Sequence, residues 1–189
     1  MRKVVAFSHV TLDGYACGPQ GELEWANVED QISDDVSARL EGVGAAVYGR
    51  VTYGMMAGYW PAVPGNPDST ERELRHAHWV NAVPKVVVSR SLEEADWDNT
   101  SIIRENVTEE VGTLKAQSGG DLMIFGSPHL IHLFARLGLV DEYLLYVNPV
   151  TLGSGVPVFE AGTHAKLHLL ETKAFEAGVV VMRYEVARG

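Results

Sequence analysis

Residues 45–60 read AAVYGRVTYGMMAGYW. Ala45–Tyr48 is an apolar run of strand length, Gly49 breaks it, and Thr52–Tyr59 suits a short helix. A cation and a hydroxyl, Arg50 and Thr52, therefore stand where a buried strand gives way to a helix. Helix starts present unpaired N–H groups and a partial positive charge. A small residue, an arginine and a hydroxyl added there suit an anion, and the phosphates of a nucleotide in particular.

The same alternation runs along the chain. VVAF (4–7), GAAVYG (44–49), KVVVSR (85–90), DLMIFG (121–126) and DEYLLYVNPV (141–150) read as strands. LHLLETKAF (167–175) and VVVMRYEV (179–186) flank Ala177-Gly178 and predict a closing hairpin. Helices are expected between them. Residues 30–40 place Ile32, Val36 and Leu40 on one stripe with Asp and Ser opposite. Residues 69–83 offer Ser69 or Thr70 as a cap, and 106–117 carry Val111 and Leu114. Residues 127–138 have Ser127 at the N-cap, Pro128 at the first helical position and Gly138 at the end. Strands alternating with helices predict an α/β fold: a mainly parallel sheet covered on both faces, with an antiparallel edge from the hairpin. No linker, repeat or low-complexity tract interrupts it, so residues 1–189 are read as one domain. The longest loop is PAVPGNPDS (61–69).

The 189 residues are 46% hydrophobic and 21% charged, and the formal charge of −10 argues against a nucleic-acid binder, which needs a basic face. No apolar run approaches the roughly 18 residues of a membrane span. The opening MRKVVAFSHV reads as a strand rather than a leader, and a cytoplasmic protein is expected. The single cysteine, Cys17, excludes an internal disulfide and a multi-cysteine zinc site.

Three strand-to-helix turns share one design. Gly49-Arg50-Val51-Thr52 follows the second strand, Ser89-Arg90-Ser91 the third, and Gly126-Ser127-Pro128 the fourth. In a parallel sheet these turns lie along one rim. Two arginines on that rim suit a 2′-phosphate, which favours NADPH over NADH. The alternative reading of each turn is a helix start with a solvated arginine. Neither G-x-G-x-x-G nor a P-loop occurs, and Gly153-Ser154-Gly155 reads as a plain turn.

TLDGYACGPQGELEW (11–25), YGRVTYGMMAGYW (48–60), KVVVSRSL (85–92), LMIFGSPHLI (122–131) and GLVDEYLLYVNPVTLGSGVPVF (138–159) together resemble the dihydrofolate-reductase-like family. The resemblance is closest to the branch related to the reductase domain of the bifunctional riboflavin-biosynthesis deaminase-reductase. It implies a three-layer α/β/α fold around a mixed sheet, with NADPH across the strand ends. It implies that Arg50, Val51 and Thr52 bind cofactor phosphates, with Arg50 toward the 2′-phosphate. Ser89 and Arg90 would receive the adenosine ribose and its phosphate, and Gly126, Ser127, His129 and Leu130 the pyrophosphate. Ala16 would fall in a flexible loop near the nicotinamide. The chain departs from folate reductases in having Gly126-Ser127-Pro128 for consecutive glycines, and Pro128 has no N–H to donate. The deaminase half, with its H-x-E and P-C-x-x-C ligands, is absent from this sequence.

The substrate is less defined. By the same resemblance, Asp30, following Trp25 at a helix start, is the candidate proton donor; the alternative is a helix N-cap. The Pro-Trp-x-Leu-Pro context of folate reductases is absent, and Asp34 stands where an aromatic is expected. His9 lies on the first strand as a proton donor or a core histidine. Trp60 and Tyr59 suit either a wall for a flat ring or the closing of a helix on the core. Tyr146 and Asn148 share a strand face that either meets substrate or makes a buried contact. His76 with His78, and His129 with His132, lack a third metal ligand. The expectation is an NADPH-dependent reductase of a pteridine, pyrimidine or carbonyl compound. The alternative is a non-catalytic nucleotide sensor or dimeric scaffold. A homodimer is expected, with the strand YLLYVNPV pairing across a two-fold axis.

Overall fold

The computed structural model describes residues 1–187. Strand β1 (Val4–Thr11) is followed by β2 (Tyr15–Cys17), α1 (Asp30–Leu40), β3 (Val43–Gly49), α2 (Arg50–Tyr59) and a 3-10 turn over Trp60–Gly65. Then come α3 (Glu71–Ala82), β4 (Lys85–Val88), β5 (Thr100–Ile103), α4 (Val107–Ala116), β6 (Asp121–Phe125) and α5 (Pro128–Arg136). The chain closes with β7 (Glu142–Asn148), β8 (Val156–Pro157), β9 (Leu167–Ala174) and β10 (Val180–Val186). Eight strands form one sheet in the order β5-β4-β3-β6-β1-β7-β10-β9. The first six are parallel, and β10 runs antiparallel to both β7 and β9.

Alternate strand residues feed two cores. Val5, Ala46, Tyr48, Val87 and Tyr146 meet Ile32 and Leu40 of α1, Tyr53 of α2 and Val80 of α3. Val4, Ala6, Val47, Ile124 and Leu145 meet Val111 of α4 and Leu130, Ile131 and Phe134 of α5. The molecule is therefore a three-layer α/β/α sandwich, as the alternation of strand and helix signals implies.

Local chemistry explains the element ends. Thr70 and Glu73 form a capping box: Glu73 N–H donates to the Thr70 hydroxyl at 3.2 Å and Thr70 N–H to the Glu73 carboxylate at 2.8 Å. The far end of α3 is held by Lys85, whose buried Nζ donates to the carbonyls of Val80, Asn81 and Val83. Where β3 and β6 begin, Gly44 and Gly120 touch so closely that a Cβ on Gly44 would sit 2.6 Å from the Gly120 carbonyl oxygen.

Several expectations are corrected. Helix α2 begins at Arg50, because Gly49 already takes the extended cap position. Ser127 holds the N-cap position of α5 but makes no side-chain cap; its hydroxyl is drawn elsewhere. The 61–69 loop carries the 3-10 turn, with Pro61 near its start and Pro64 inside it. Strand β7 lies between β1 and β10, so both its edges are already paired and it offers none to a second copy. The open sheet edge on that side belongs to β9, beyond β10. Asp35, assigned to the polar face of α1, points inward with its side chain 9% exposed. Among the described residues no helix is long and apolar enough to cross a membrane.

Candidate functional site

Strands β3 and β6 are parallel neighbours. The helix after β3, α2, packs on one face of the sheet, and the helix after β6, α5, packs on the other. The backbone thus opens at the carboxyl ends of these strands, the kind of crevice where open α/β sheets receive ligands. Ser127 spans it. Gly49 N–H donates to Ser127 Oγ at 3.1 Å, and Ser127 Oγ donates to Thr52 Oγ1 at 2.7 Å. Gly126 and Ser127 have φ of 53° and 49°, so consecutive left-handed residues swing the chain into α5. A Cβ on Gly49 would meet Ser127 Oγ at 3.5 Å, ordinary contact, so the glycine is not required by space there.

The third turn lies alongside, but it is not the strand-to-helix turn that the sequence predicts: no helix follows β4, and the chain runs through residues 89–99 to β5. Val88 is in register with Gly49, which sets Ser89 and Arg90 beside the start of α2. The Ser89 hydroxyl accepts from the N–H groups of Ser91 at 3.2 Å and Leu92 at 3.1 Å, fixing the turn and leaving Arg90 exposed. All three turns therefore share one rim.

The charges on that rim run against the rest of the protein. Helix α1 has Asp30 in its first turn, α3 has Glu71 and Glu73, and α4 has Glu109 and Glu110, the usual complement to a helix N-terminus. Helices α2 and α5 have none, and α2 begins with Arg50. A cation at the positive end of a helix is unfavourable for the helix itself. Among the described residues neither Arg50 nor Arg90 forms an ion pair, whereas Lys3, Arg39, Arg72, Arg75, Lys115, Arg136, Lys173 and Arg183 all do.

The other expected cofactor residues are dispersed about this rim. Val51 is exposed in the first turn of α2. His129 is half-buried in the first turn of α5, with its ring 5.8 Å from that of His132. Leu130 is a core residue whose N–H donates to the Ser127 carbonyl at 2.8 Å. Ala16 lies not in a loop but on β2, buried and paired into a two-stranded ribbon with β8. Asp13 anchors that region: its carboxylate accepts from the Thr11 hydroxyl at 2.6 Å and Gly153 N–H at 2.8 Å.

Further along the sheet, His9 and Asn148 pair across the ends of β1 and β7. Asn148 Oδ1 accepts from Asn27 N–H at 2.8 Å and Nδ2 donates to the Tyr146 carbonyl at 2.9 Å, tying the segment before α1 to the sheet. The half-buried His9 ring lies 5.2 Å from that of Tyr146, and burial pulls its imidazole down to about 4, so it is neutral at pH 7. The Tyr146 hydroxyl donates to Asp35 at 2.6 Å, and Asp35 also accepts from Arg39 and Lys173, both at 2.7 Å. Burial pushes the Asp35 carboxyl up, but these hydrogen bonds outweigh it and hold it below the usual range.

Asp35 was missed from sequence, though it stands three residues after Ile32 and four before Arg39, within the buried stripe of α1. Asp30 is the first residue of α1 rather than its cap, which is Glu29; its side chain is 93% exposed and 3.1 Å from Arg72 of α3. Tyr59 is exposed and donates to Glu73 at 2.8 Å. His132 meets the Pro157 carbonyl at 2.8 Å, and among the described residues no group of three or more side chains could hold a metal.

The profile of the RibD C-terminal domain family matches residues 2–181. YyaP of Bacillus subtilis, a protein described as uncharacterized, is 34% identical over 187 residues, 97% of this chain and 94% of its own. A structure from Shewanella sp. PV-4, provisionally described as a riboflavin biosynthesis protein, superposes with a TM-score of 0.76 at 21% identity, covering 98% of this chain and 99% of that one. Dihydrofolate reductase from Enterococcus faecalis, complexed with NADP(H), gives a TM-score of 0.64 at 13% identity over 98% of this chain and 97% of its own. The architecture is that of the dihydrofolate-reductase-like fold.

Proposed function

The chain belongs to the RibD C-terminal domain family, and from that premise we propose that it is an NADPH-dependent reductase of a small heterocyclic or carbonyl compound. One observation carries this reading: the two helices that start at the β3/β6 crevice have no acid in their first turns, and one opens with an arginine that forms no ion pair among the described residues, in a chain of net charge −10. Such a start is unfavourable for the helix and favourable for a phosphate.

When bound, NADPH supplies the hydride, so that NADPH, a proton and the oxidised acceptor give NADP⁺ and the reduced acceptor. Arg50 and Arg90 hold the 2′-phosphate by charge-assisted hydrogen bonds. Val51 and Thr52 present the start of α2, and Ser89 shapes the turn that meets the adenosine ribose. Gly126, Ser127, His129 and Leu130 form the start of α5 that faces the pyrophosphate. Ala16, with no side chain beyond Cβ, leaves room for the nicotinamide. Asp30, open to solvent at the start of α1, would be the residue through which a proton passes from water to the acceptor.

A second reading, a nucleotide sensor without turnover, is favoured by the neutral state of His9, which has no proton to give as an imidazolium at pH 7. Mixing the protein with NADPH and pterins, quinones and flavins, and following absorbance near 340 nm, separates the two. Oxidation of NADPH with any acceptor supports the reductase; binding without oxidation across the panel supports the sensor. We further propose a cytoplasmic homodimer, with the exposed Leu169 and Leu170 of β9 at its contact, to be checked by light scattering.

A further inference from the structure

Next to the crevice, on the face covered by α1 to α3, aromatic rings stand in an unbroken row. Trp60 lies 4.4 Å from His76, His76 5.7 Å from Trp79, and Trp79 5.6 Å from Phe125. Phe125 lies 5.6 Å from Phe7, and Phe7 5.8 Å from His9. Phe125 is buried, and the other five are half-buried. The row meets the crevice at its middle: Phe125 directly precedes Gly126, whose N–H donates to the Phe7 carbonyl at 3.0 Å.

We propose that this row is the wall against which the acceptor stacks, and that the acceptor is therefore a flat, uncharged aromatic ring. The inference rests on the reductase reading for its place in the reaction, since a hydride acceptor must lie against the cofactor site. Its chemistry comes from the wall. Ring faces and edges attract another ring by offset or edge-on contact, in addition to the apolar area they bury.

The wall carries no charge of either sign. His76 and His9 are both held neutral, each pulled down to about 4 by burial. The cations of α3 closest in sequence to His76 are already engaged: Arg72 with Asp30 and Arg75 with Asp34, each at 3.1 Å. An acceptor bearing a phosphate would bring its charge to a surface that has nothing to pair with it, and a desolvated unpaired charge is costly. Among the described residues these neighbouring arginines are paired, in contrast to the crevice rim, where Arg50 and Arg90 form no ion pair. The two neighbouring surfaces thus divide the work, one for a charged ligand and one for a neutral ring.

A matched pair of quinones tests this by calorimetry with the full chain: 2-methyl-1,4-naphthoquinone and 1,4-naphthoquinone-2-sulfonate. The uncharged quinone should bind at least tenfold more tightly than the sulfonate. Trp60→Leu, which keeps an apolar side chain but removes the ring, should weaken the uncharged quinone threefold or more. His76→Glu, which sets a carboxylate in the wall, should weaken it at least tenfold, and both variants should bind NADPH as the parent protein does. Circular dichroism establishes that each variant is folded, and Trp60→Leu carries the test if His76→Glu is not. Equal or tighter binding of the sulfonate, no binding of the neutral quinone, or folded variants that bind it unchanged would each overturn the proposal. The NADPH titration keeps the two readings apart: quinone preference without NADPH binding defeats the reductase reading and leaves the wall standing, and NADPH binding without the preference does the reverse.

Discussion

Ser127 and Thr52 are joined hydroxyl to hydroxyl at 2.7 Å, although 75 residues separate them. Because Ser127 also accepts from Gly49 N–H, one side chain fixes the starts of two helices that leave the sheet on opposite faces. The crevice is therefore set before any ligand arrives. Ser127→Ala leaves the Gly49 N–H without its partner and should cost about 1–3 kcal/mol of stability, whereas Thr52→Val removes only an acceptor and should cost about 1 kcal/mol. Urea denaturation checks the order, and both variants should also bind NADPH more weakly than the parent. Unchanged stability in Ser127→Ala would mean the hydroxyl does not organise the rim.

The close approach of β3 and β6 at Gly44 gives a second prediction, independent of any ligand. A Cβ at Gly44 would meet the Gly120 carbonyl oxygen at 2.6 Å and Gly120 N at 2.8 Å, both backbone atoms that cannot swing aside. Gly44→Ala should destabilise by about 1–3 kcal/mol, the range of overpacked sites. Gly112, inside α4 with open space about it, is the control: Gly112→Ala should stabilise by about 0.5–1 kcal/mol. Thermal melts of the two variants should move in opposite directions.

The buried histidines make stability depend on pH. His76 and His9 have folded-state values near 4 against 6.5 for the free side chain. Between those values the unfolded chain binds protons that the folded chain refuses. Stability should thus fall as pH drops from about 6.5 to about 4, and be fully present above that window. His76→Phe keeps a ring between Trp60 and Trp79 and should flatten part of this slope, as measured by urea midpoints at pH 7 and pH 4.5. A slope identical to the parent would show that His76 titrates freely in the folded state.

Asp30 is exposed and paired with Arg72, so its replacement tests proton delivery without disturbing the core. Asp30→Asn should leave NADPH affinity and folding unchanged and lower turnover on an oxidised acceptor by tenfold or more. Turnover equal to the parent across the pH range would assign the proton to water.

Much of this arrangement is written in local sequence. Ile32, Val36 and Leu40 fix α1, and Pro128 with Gly138, which takes φ of 65°, brackets α5. The Val-rich β4 and the Ala45–Tyr48 run of β3 announce themselves, and with them the positions of the three turns, although the one after β4 leads to β5 and not to a helix. What local sequence hides is what distant residues supply. Strand β5 is four residues with half-polar composition and exists by pairing with β4. The β2/β8 ribbon, which removes Ala16 from a loop, joins segments some 140 residues apart in the chain, too short for any periodicity to show. Asp35 reads as a surface acid until Tyr146 and Lys173 arrive from β7 and β9 to satisfy it. The aromatic row likewise draws on β1, β6, α3 and the turn after α2, and no one segment reveals it.

The central claim is that Arg50, a cation at a helix start with no ion pair among the described residues, recognises the 2′-phosphate of NADPH. Titration of the parent and Arg50→Ala with NADPH and NADH, followed by tryptophan fluorescence, tests it directly. The account predicts that the substitution weakens NADPH by about 1.5–3 kcal/mol, the worth of a hydrogen bond to a charged group, and leaves NADH nearly unchanged. Equal losses for the two dinucleotides, or no binding of NADPH to the parent protein, would contradict it.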